Sequence, residues 1–198
     1  MHKIDFWVSI GSTYSFLTVM RIGREAAARG VSVTWRPFNV RKLMMAQQNV
    51  PFAGKPAKLA YMWRDVARRA ARHGLSAQVP VEYPIPELEK ANLVATIGCD
   101  EGWGPDYIAE TYRRWFHDNQ PPGQAPNLTD SLIAVGQDPD RVVPLAEAPA
   151  TRRVLNMVTA EAEALGLFGA PSFVADGELF WGDDRLEDAL DWAAGARA

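Results

Sequence analysis

Three short stretches carry residues whose types and spacing could do chemistry. The first is Gly11-Ser12-Thr13-Tyr14-Ser15. It follows an alternating apolar run and precedes helically spaced apolar positions, so Ser12 lies where a strand gives way to a helix. Backbone N–H groups and the positive end of a helix dipole converge at such a spot and stabilise anions. A thiolate placed there has its pKa lowered. A plain N-cap serine accounts for the position equally simply. The second stretch is Phe168-Gly169-Ala170-Pro171-Ser172-Phe173. A proline at the start of a strand has no N–H to give to the ladder. If the bond before it is cis, Ala170 turns its backbone polar groups outward, toward an extended peptide; an ordinary loop proline is the alternative. The third is Trp181-Gly182-Asp183-Asp184-Arg185. Two carboxylates at a helix start either cap that helix or hold an ammonium group.

The elements that must position these residues follow from periodicity. Residues 4–10 (IDFWVSI) alternate Ile4, Phe6, Val8 and Ile10 with Asp5, Trp7 and Ser9, and read as a strand. Gly11 breaks it, and Ser12 or Thr13 caps a helix that runs through Phe16, Val19, Met20, Ile22 and Ala26 to Gly30. Residues 31–38 form a second strand, so the chain opens as a right-handed βαβ unit. Residues 55–73 form an amphipathic helix ended by Gly74, 79–86 a proline-studded loop, and 87–99, 105–118, 127–136 and 149–165 further helices. The end returns to β: strand 172–175, an Asp176-Gly177 hairpin turn, strand 178–181, and a last helix that starts at Gly182-Asp183-Asp184.

Composition narrows the function classes. The 198 residues are 47% hydrophobic and 23% charged, with a formal net charge of -3. These values fit a globular chain with a real core and argue against disorder. A slightly acidic chain is a poor nucleic-acid binder. The single cysteine excludes an intrachain disulfide, a Cys-rich zinc site and a dithiol redox centre. Cys99 itself reads as a small core residue. His2, His73 and His117 lack metal-ligand spacing. Lys58, Arg64, Arg68, Arg69 and Arg72 read as a solvated basic face, and Trp63, Trp103 and Trp115 as core or interface anchors. The charge-free run at 6–20 is too short to span a bilayer, and Asp5 with no small-x-small cleavage site speaks against a signal peptide. The expectation is a soluble, cytoplasmic protein that binds neither nucleic acid nor membrane.

A strand, an x-x-Ser turn into a helix, a second strand, a helical middle, then G-A-P-S-F, a hairpin and W-G-D-D-R resemble the thioredoxin-like fold. More narrowly, they resemble the group of 2-hydroxychromene-2-carboxylate isomerases and kappa-class glutathione transferases, which shares its insertion plan with periplasmic disulfide oxidoreductases. The resemblance covers essentially the whole chain. It implies an α/β thioredoxin-like core from residues 1–40 and 166–198 and a helical insertion domain over 41–165. Ser12-Thr13-Tyr14-Ser15 stands where the redox members carry C-x-x-C, so disulfide chemistry is lost while the thiolate-stabilising geometry is kept for glutathione. The resemblance makes Ser12 the catalytic serine at the glutathione sulfur. Ala170 and Pro171 would pair with the cysteinyl segment, and Trp181, Gly182, Asp183 and Asp184 would surround the γ-glutamyl end. Asn49 and Lys58 match polar positions lining that site. Lys42 and Tyr83 match positions that contact the aromatic substrate.

The activity implied is a glutathione-dependent cis–trans isomerisation of 2-hydroxychromene-2-carboxylate to trans-o-hydroxybenzylidenepyruvate, a step in aromatic catabolism of the naphthalene type. The expected partners are a small aromatic carboxylate and a second copy of the chain. A kappa-like transferase or peroxidase acting on other electrophiles is one alternative, and a non-catalytic thioredoxin-like binding module is another. Two departures bear on the substrate. Thr13 follows the serine where the isomerases commonly have proline, and Phe52-Ala53-Gly54 lacks a polar pair that some of them carry.

Overall fold

The computed structural model describes residues 2–50 and 52–195. Strand β1 (His2–Val8) leads through a tight turn into α1 (Thr13–Val19) and α2 (Ile22–Ala28), and then β2 (Val31–Pro37). Seven helices follow: α3 (Val40–Ala46), α4 (Pro56–Arg72), α5 (Leu88–Glu101), α6 (Gly104–Asp118), α7 (Asn127–Ala134), α8 (Pro139–Glu147) and α9 (Pro149–Ala164). The chain closes with β3 (Ser172–Ala175), β4 (Glu178–Trp181), a 3-10 turn (Asp183–Arg185) and α10 (Leu186–Ala193). The strand order is β2-β1-β3-β4. β1 runs parallel to β2 and antiparallel to β3, and β3 runs antiparallel to β4.

Alternation along β1 gives the sheet two covered faces. Ile4, Phe6 and Val8 enter the main core, where Phe6 stacks on Phe173 with ring centroids 5.4 Å apart. Trp7, between them in sequence, points the other way. It lies in a second, smaller core with Phe38, Val40, Leu43, Ala162 and Leu167. A strand buried on both faces needs an element on each side, and α3 and α9 supply the second layer.

The sequence pattern misses three features. The helix expected from Ser12 to Gly30 breaks at Met20–Arg21, where Arg21 leaves helical geometry (φ -134, ψ -18). Arg21 is only 2% exposed, and its guanidinium turns inward to acidic partners instead of continuing an amphipathic face. Helices α3 and α8 also form outside the expected segments. Both are short, and each starts on a side-chain cap: Asn39 accepts from the Lys42 N–H, and Asp138 accepts from the Asp140 N–H.

The turn after β1 is held from the insertion. Asn92 on α5 accepts from the Ile10 N–H at 2.9 Å and donates to the Ile10 carbonyl at 2.9 Å. Its amide also donates to the Leu88 carbonyl at 2.8 Å. Asn92 is fully buried, so Ile10 has no water to fall back on. Gly11 follows with φ +119, and a Cβ there would lie 2.6 Å from the Leu88 side chain. Only glycine permits both the backbone angle and the approach of α5. Replacing Asn92 with Ala strands two buried backbone groups and should lower unfolding stability by about 2–4 kcal/mol, read as a shift in the urea midpoint at unchanged slope.

Candidate active site

Ser12 is the N-cap residue of α1 (φ -82, ψ 120), yet its side chain caps nothing. The hydroxyl instead donates to the Ala170 carbonyl at 2.7 Å, across 158 residues of sequence. The Ser12 N–H closes the turn by donating to the Ser9 carbonyl at 3.0 Å. Tyr112, fully buried on α6, donates to the Ser9 and Ser12 carbonyls, at 3.0 Å each. Burial pushes the Tyr112 phenol up, so it stays a neutral donor. Ser15 lies one turn on, fully buried, its hydroxyl beside the Tyr112 phenol and without a hydrogen bond of good geometry. The half-buried Ser12 hydroxyl is thus fixed by its neighbours' backbone while its own helix makes no claim on it. Helix α1 has seven residues, so the local amides of its first turn, more than a long dipole, would face an anion there.

The 168–171 loop meets this turn directly. The Ala170–Pro171 bond is cis. The Gly182 N–H donates to the Pro171 carbonyl at 2.9 Å, which brings the end of β4 onto the same loop. Trp181, 52% exposed, lies over Gly169 and packs its ring on Phe168 at 4.8 Å. A Cβ at Gly169 would run into the Trp181 indole. Ser12, Ala170, Pro171, Trp181 and Gly182 therefore come together as one edge.

Asp183 has a different task from the one anticipated. It is 1% exposed, and both carboxylate oxygens are engaged inside the chain. Oδ1 accepts from the Thr18 hydroxyl and from Arg21, both at 3.0 Å, and Oδ2 accepts from Arg69 at 2.8 Å. Arg21 pairs further with Glu187. The carboxylate is consumed in tying α1 and α4 to the Trp181–Asp184 loop. Arg69 is correspondingly no part of a solvated basic face. Met62, Val66 and Ala70 form the buried stripe of α4, and Arg69, next to Ala70, turns inward with 28% of its side chain exposed. Lys58, Arg64, Arg68 and Arg72 do face solvent. Asp184 is exposed and pairs with Arg185 at 3.1 Å.

An aromatic wall flanks the Ser12 turn. Tyr83 meets Phe52 and Trp63 edge-to-face, each with centroids 5.9 Å apart, and Lys58 sits 5.8 Å from the Phe52 ring centroid. Two residues past Tyr83, Ile85 reaches Gly11, as does Leu88. From the other side, the Thr13 hydroxyl donates to the Met62 sulfur at 3.0 Å, and the Tyr14 hydroxyl donates to Asp65 at 2.9 Å. Burial and the Asp65 carboxylate push the Tyr14 phenol up. Burial raises Tyr83 too, and the charge of Arg41 opposes it. Arg41 donates to the Ile85 carbonyl at 2.9 Å. Lys42 lies on the other flank of α3, exposed, its Nζ 3.2 Å from the Asn156 side-chain oxygen on α9. Asn49 is exposed in the turn that ends α3, and its N–H donates to the Met44 carbonyl at 2.8 Å. Tyr83 and Lys58 are thus brought to one wall, while Lys42 is not. The motifs give no site role to Arg41, Phe52, Trp63 or Tyr14. Arg41 and Lys42 lie equally far from the Val40–Leu43 face, on opposite sides of it, so helical spacing alone does not say which of them turns toward Tyr83.

Residues 3–191 match the DSBA-like thioredoxin domain. The chain belongs to that family. It is 25% identical over 186 residues to a 2-hydroxychromene-2-carboxylate isomerase of Sphingobium xenophagum, covering 93% of this chain and 94% of that protein. It is 23% identical over 205 residues to glutathione S-transferase kappa 2 of Caenorhabditis elegans, covering 96% and 91%. A solved 2-hydroxychromene-2-carboxylate isomerase superposes with a TM-score of 0.86 at 21% identity, covering 98% of this chain and 95% of that one. These relatives agree with the resemblance drawn from the motifs at the two ends of the chain, and the superposition fixes the thioredoxin-like fold with its helical insertion.

Among the described residues no group of three or more His, Cys, Asp or Glu could hold a metal ion. No helix there is long and apolar enough to cross a membrane. Cys99 sits on α5, and burial pushes its thiol up to about 12. It should therefore resist thiol reagents at about pH 8 in the native protein and react fully once unfolded, as counted by colorimetric titration. A second outcome concerns the buried triad. Asp183→Ala takes the buried carboxylate from between Arg21 and Arg69 and should cost about 3–5 kcal/mol in chemical denaturation, whereas Asp184→Ala should stay within about 0.5 kcal/mol.

Proposed function

We propose that the protein is a glutathione-dependent cis–trans isomerase that converts 2-hydroxychromene-2-carboxylate to trans-o-hydroxybenzylidenepyruvate. The observation that carries this reading is the Ser12 hydroxyl. It is half-buried, excused from capping its own helix, and held 2.7 Å from the Ala170 carbonyl at the position where redox relatives would carry a thiol. The chain's one cysteine is partly buried on another helix with a raised pKa, so in this reading the reacting sulfur is brought in.

The surrounding residues fit an extended thiol tripeptide. Gly169 lets the Trp181 indole close onto the loop, where a Cβ would collide with it, and the Ala170 carbonyl is an acceptor at the edge of the turn. Trp181, exposed over that loop, offers an apolar wall. In this reading Trp181, Gly182 and Asp184 lie along the γ-glutamyl end, Asn49 and Lys58 serve the polar rim, and Asp183 positions the loop. Bound glutathione would supply a thiolate nucleophile for reversible addition to the conjugated double bond of the ring-opened substrate.

The chain's own residues do the rest. The Ser12 hydroxyl rotates from the Ala170 carbonyl to donate a hydrogen bond to the sulfur anion, which favours the ionised form. The uncapped first-turn amides of α1 add to the same field. Tyr112 holds the turn's carbonyls away from that anion by keeping them hydrogen-bonded. Tyr83, Phe52 and Trp63 present ring edges and faces to a planar substrate beside the turn. A cytoplasmic homodimer is part of the same reading and rests on the resemblance.

Similarity to the kappa transferase, with Thr13 in place of the isomerases' usual proline, supports a second reading, in which glutathione is joined to another electrophile. Product analysis separates the two: recovered glutathione supports isomerisation and consumed glutathione supports transfer. Ser12→Ala tests the site in either case. The variant should fold normally and lose on the order of tenfold in kcat/KM near pH 7. The loss should shrink as pH rises past the ordinary thiol pKa of about 8.5, where glutathione ionises unaided. A pH–rate profile parallel to the wild type at all pH values would remove Ser12 from the chemistry.

A further inference from the structure

The side of α3 that faces the aromatic wall carries a cation that neither motif nor resemblance assigned. Consecutive helical residues are 100° apart. With Val40 and Leu43 buried, Arg41 and Lys42 fall on opposite flanks of the helix. Lys42 goes to Asn156 on α9. Arg41 goes to the 83–88 segment, where one terminal nitrogen donates to the Ile85 carbonyl at 2.9 Å and the charge acts on the Tyr83 phenol. Ile85 in turn lies against Gly11 in the Ser12 turn.

Arg41 is also electrically unmatched. The buried Arg21 and the partly buried Arg29, Arg36, Arg69 and Arg114 each pair with a carboxylate. Among the described residues no carboxylate forms an ion pair with Arg41, although its side chain is partly buried. A guanidinium has five N–H donors in a planar fork, and one hydrogen bond to a carbonyl leaves a face able to take a carboxylate. A partly buried cation with that capacity, acting on Tyr83 from the segment next to the Ser12 turn, suits a planar aromatic anion.

We propose that Arg41 is the specificity-determining anion holder of the substrate pocket, taking the carboxylate of an aromatic substrate whose ring lies against Tyr83. This rests on the isomerase reading and moves the role expected of Lys42 to its neighbour. Arg41 selects and orients; it makes no bond to the reacting carbons.

The test compares 2-hydroxychromene-2-carboxylate with its uncharged methyl ester in glutathione-supplemented assays of wild type, Arg41→Gln, Arg41→Lys and Lys42→Gln. Wild type should favour the carboxylate. Arg41→Gln should lose about 10- to 100-fold in kcat/KM on the carboxylate, mostly through KM, and less than about twofold on the ester. Arg41→Lys should restore most of the preference, and Lys42→Gln should match wild type. Equal losses on both probes would reduce Arg41 to a prop for the Ile85 loop and overturn the proposal. So would loss of preference in Lys42→Gln, or a weaker glutathione affinity in Arg41→Gln with the carboxylate preference intact. No isomerisation by wild type would overturn the isomerase reading and this inference together, an outcome distinct from active wild type with an unchanged Arg41→Gln preference.

Discussion

The site depends on one pairing, the antiparallel contact of β1 with β3. Trp7 pairs with Ser172 in that register, so the end of β1 lies beside the start of β3. Everything after Trp7 in one strand and before Ser172 in the other must therefore meet at the same end of the sheet. The Ser12 turn and the Ala170–Pro171 loop meet there, though most of the chain separates them. Their 2.7 Å hydrogen bond is a product of strand register more than of local loop preference. Register is enforced by burial on both faces. A one-residue slip would send Phe6 into the Trp7 core and Trp7 into the Phe6 core, and neither cavity has the matching shape. Packing in the sheet is thus the calibration of the candidate active site.

A second layer of constraint is electrostatic. Asp183 is a buried acid whose neighbours are two arginines and a threonine from α1, the α1–α2 break and α4. Such a group stabilises little in net terms, since desolvation offsets most of its attraction. Its value lies in direction: the charges fit in one arrangement only. By occupying that arrangement the network joins the helical middle of the chain to the loop that carries Trp181 and Gly182. The same atoms that a motif-based reading hands to a ligand are here spent on holding the ligand's surroundings in place.

How far the sequence could be read follows from which signals are local. Strand β1, the Asp176-Gly177 hairpin and α4 announce themselves through alternation, turn chemistry and a long amphipathic period. Ser12, Ala170 and Trp181 could be singled out because each sits at a punctuation mark in the chain, and the structure gathers them. The break at Arg21 and the inward turn of Arg69 were invisible because both respond to Asp183, distant in sequence by 162 and 114 residues. Short helices α3 and α8 lacked enough residues to show a period. For α3 the cost was a neighbour's identity: a single residue decides whether a cation faces Tyr83 or α9, and no composition argument resolves 100° of rotation.

The placement of sulfur has a consequence for durability. Ser12 and Ser15 offer no atom that climbs the oxidation ladder from sulfenic to sulfonic acid, and the one thiol of the chain lies partly buried on α5 with little thiolate to expose. A dithiol enzyme with the same fold can be inactivated by a single overoxidation at its own turn. Here the vulnerable atom would belong to a diffusible tripeptide, discarded and replaced at each visit. Oxidative damage to this turn would be limited to its passenger, and the polypeptide would not need repair.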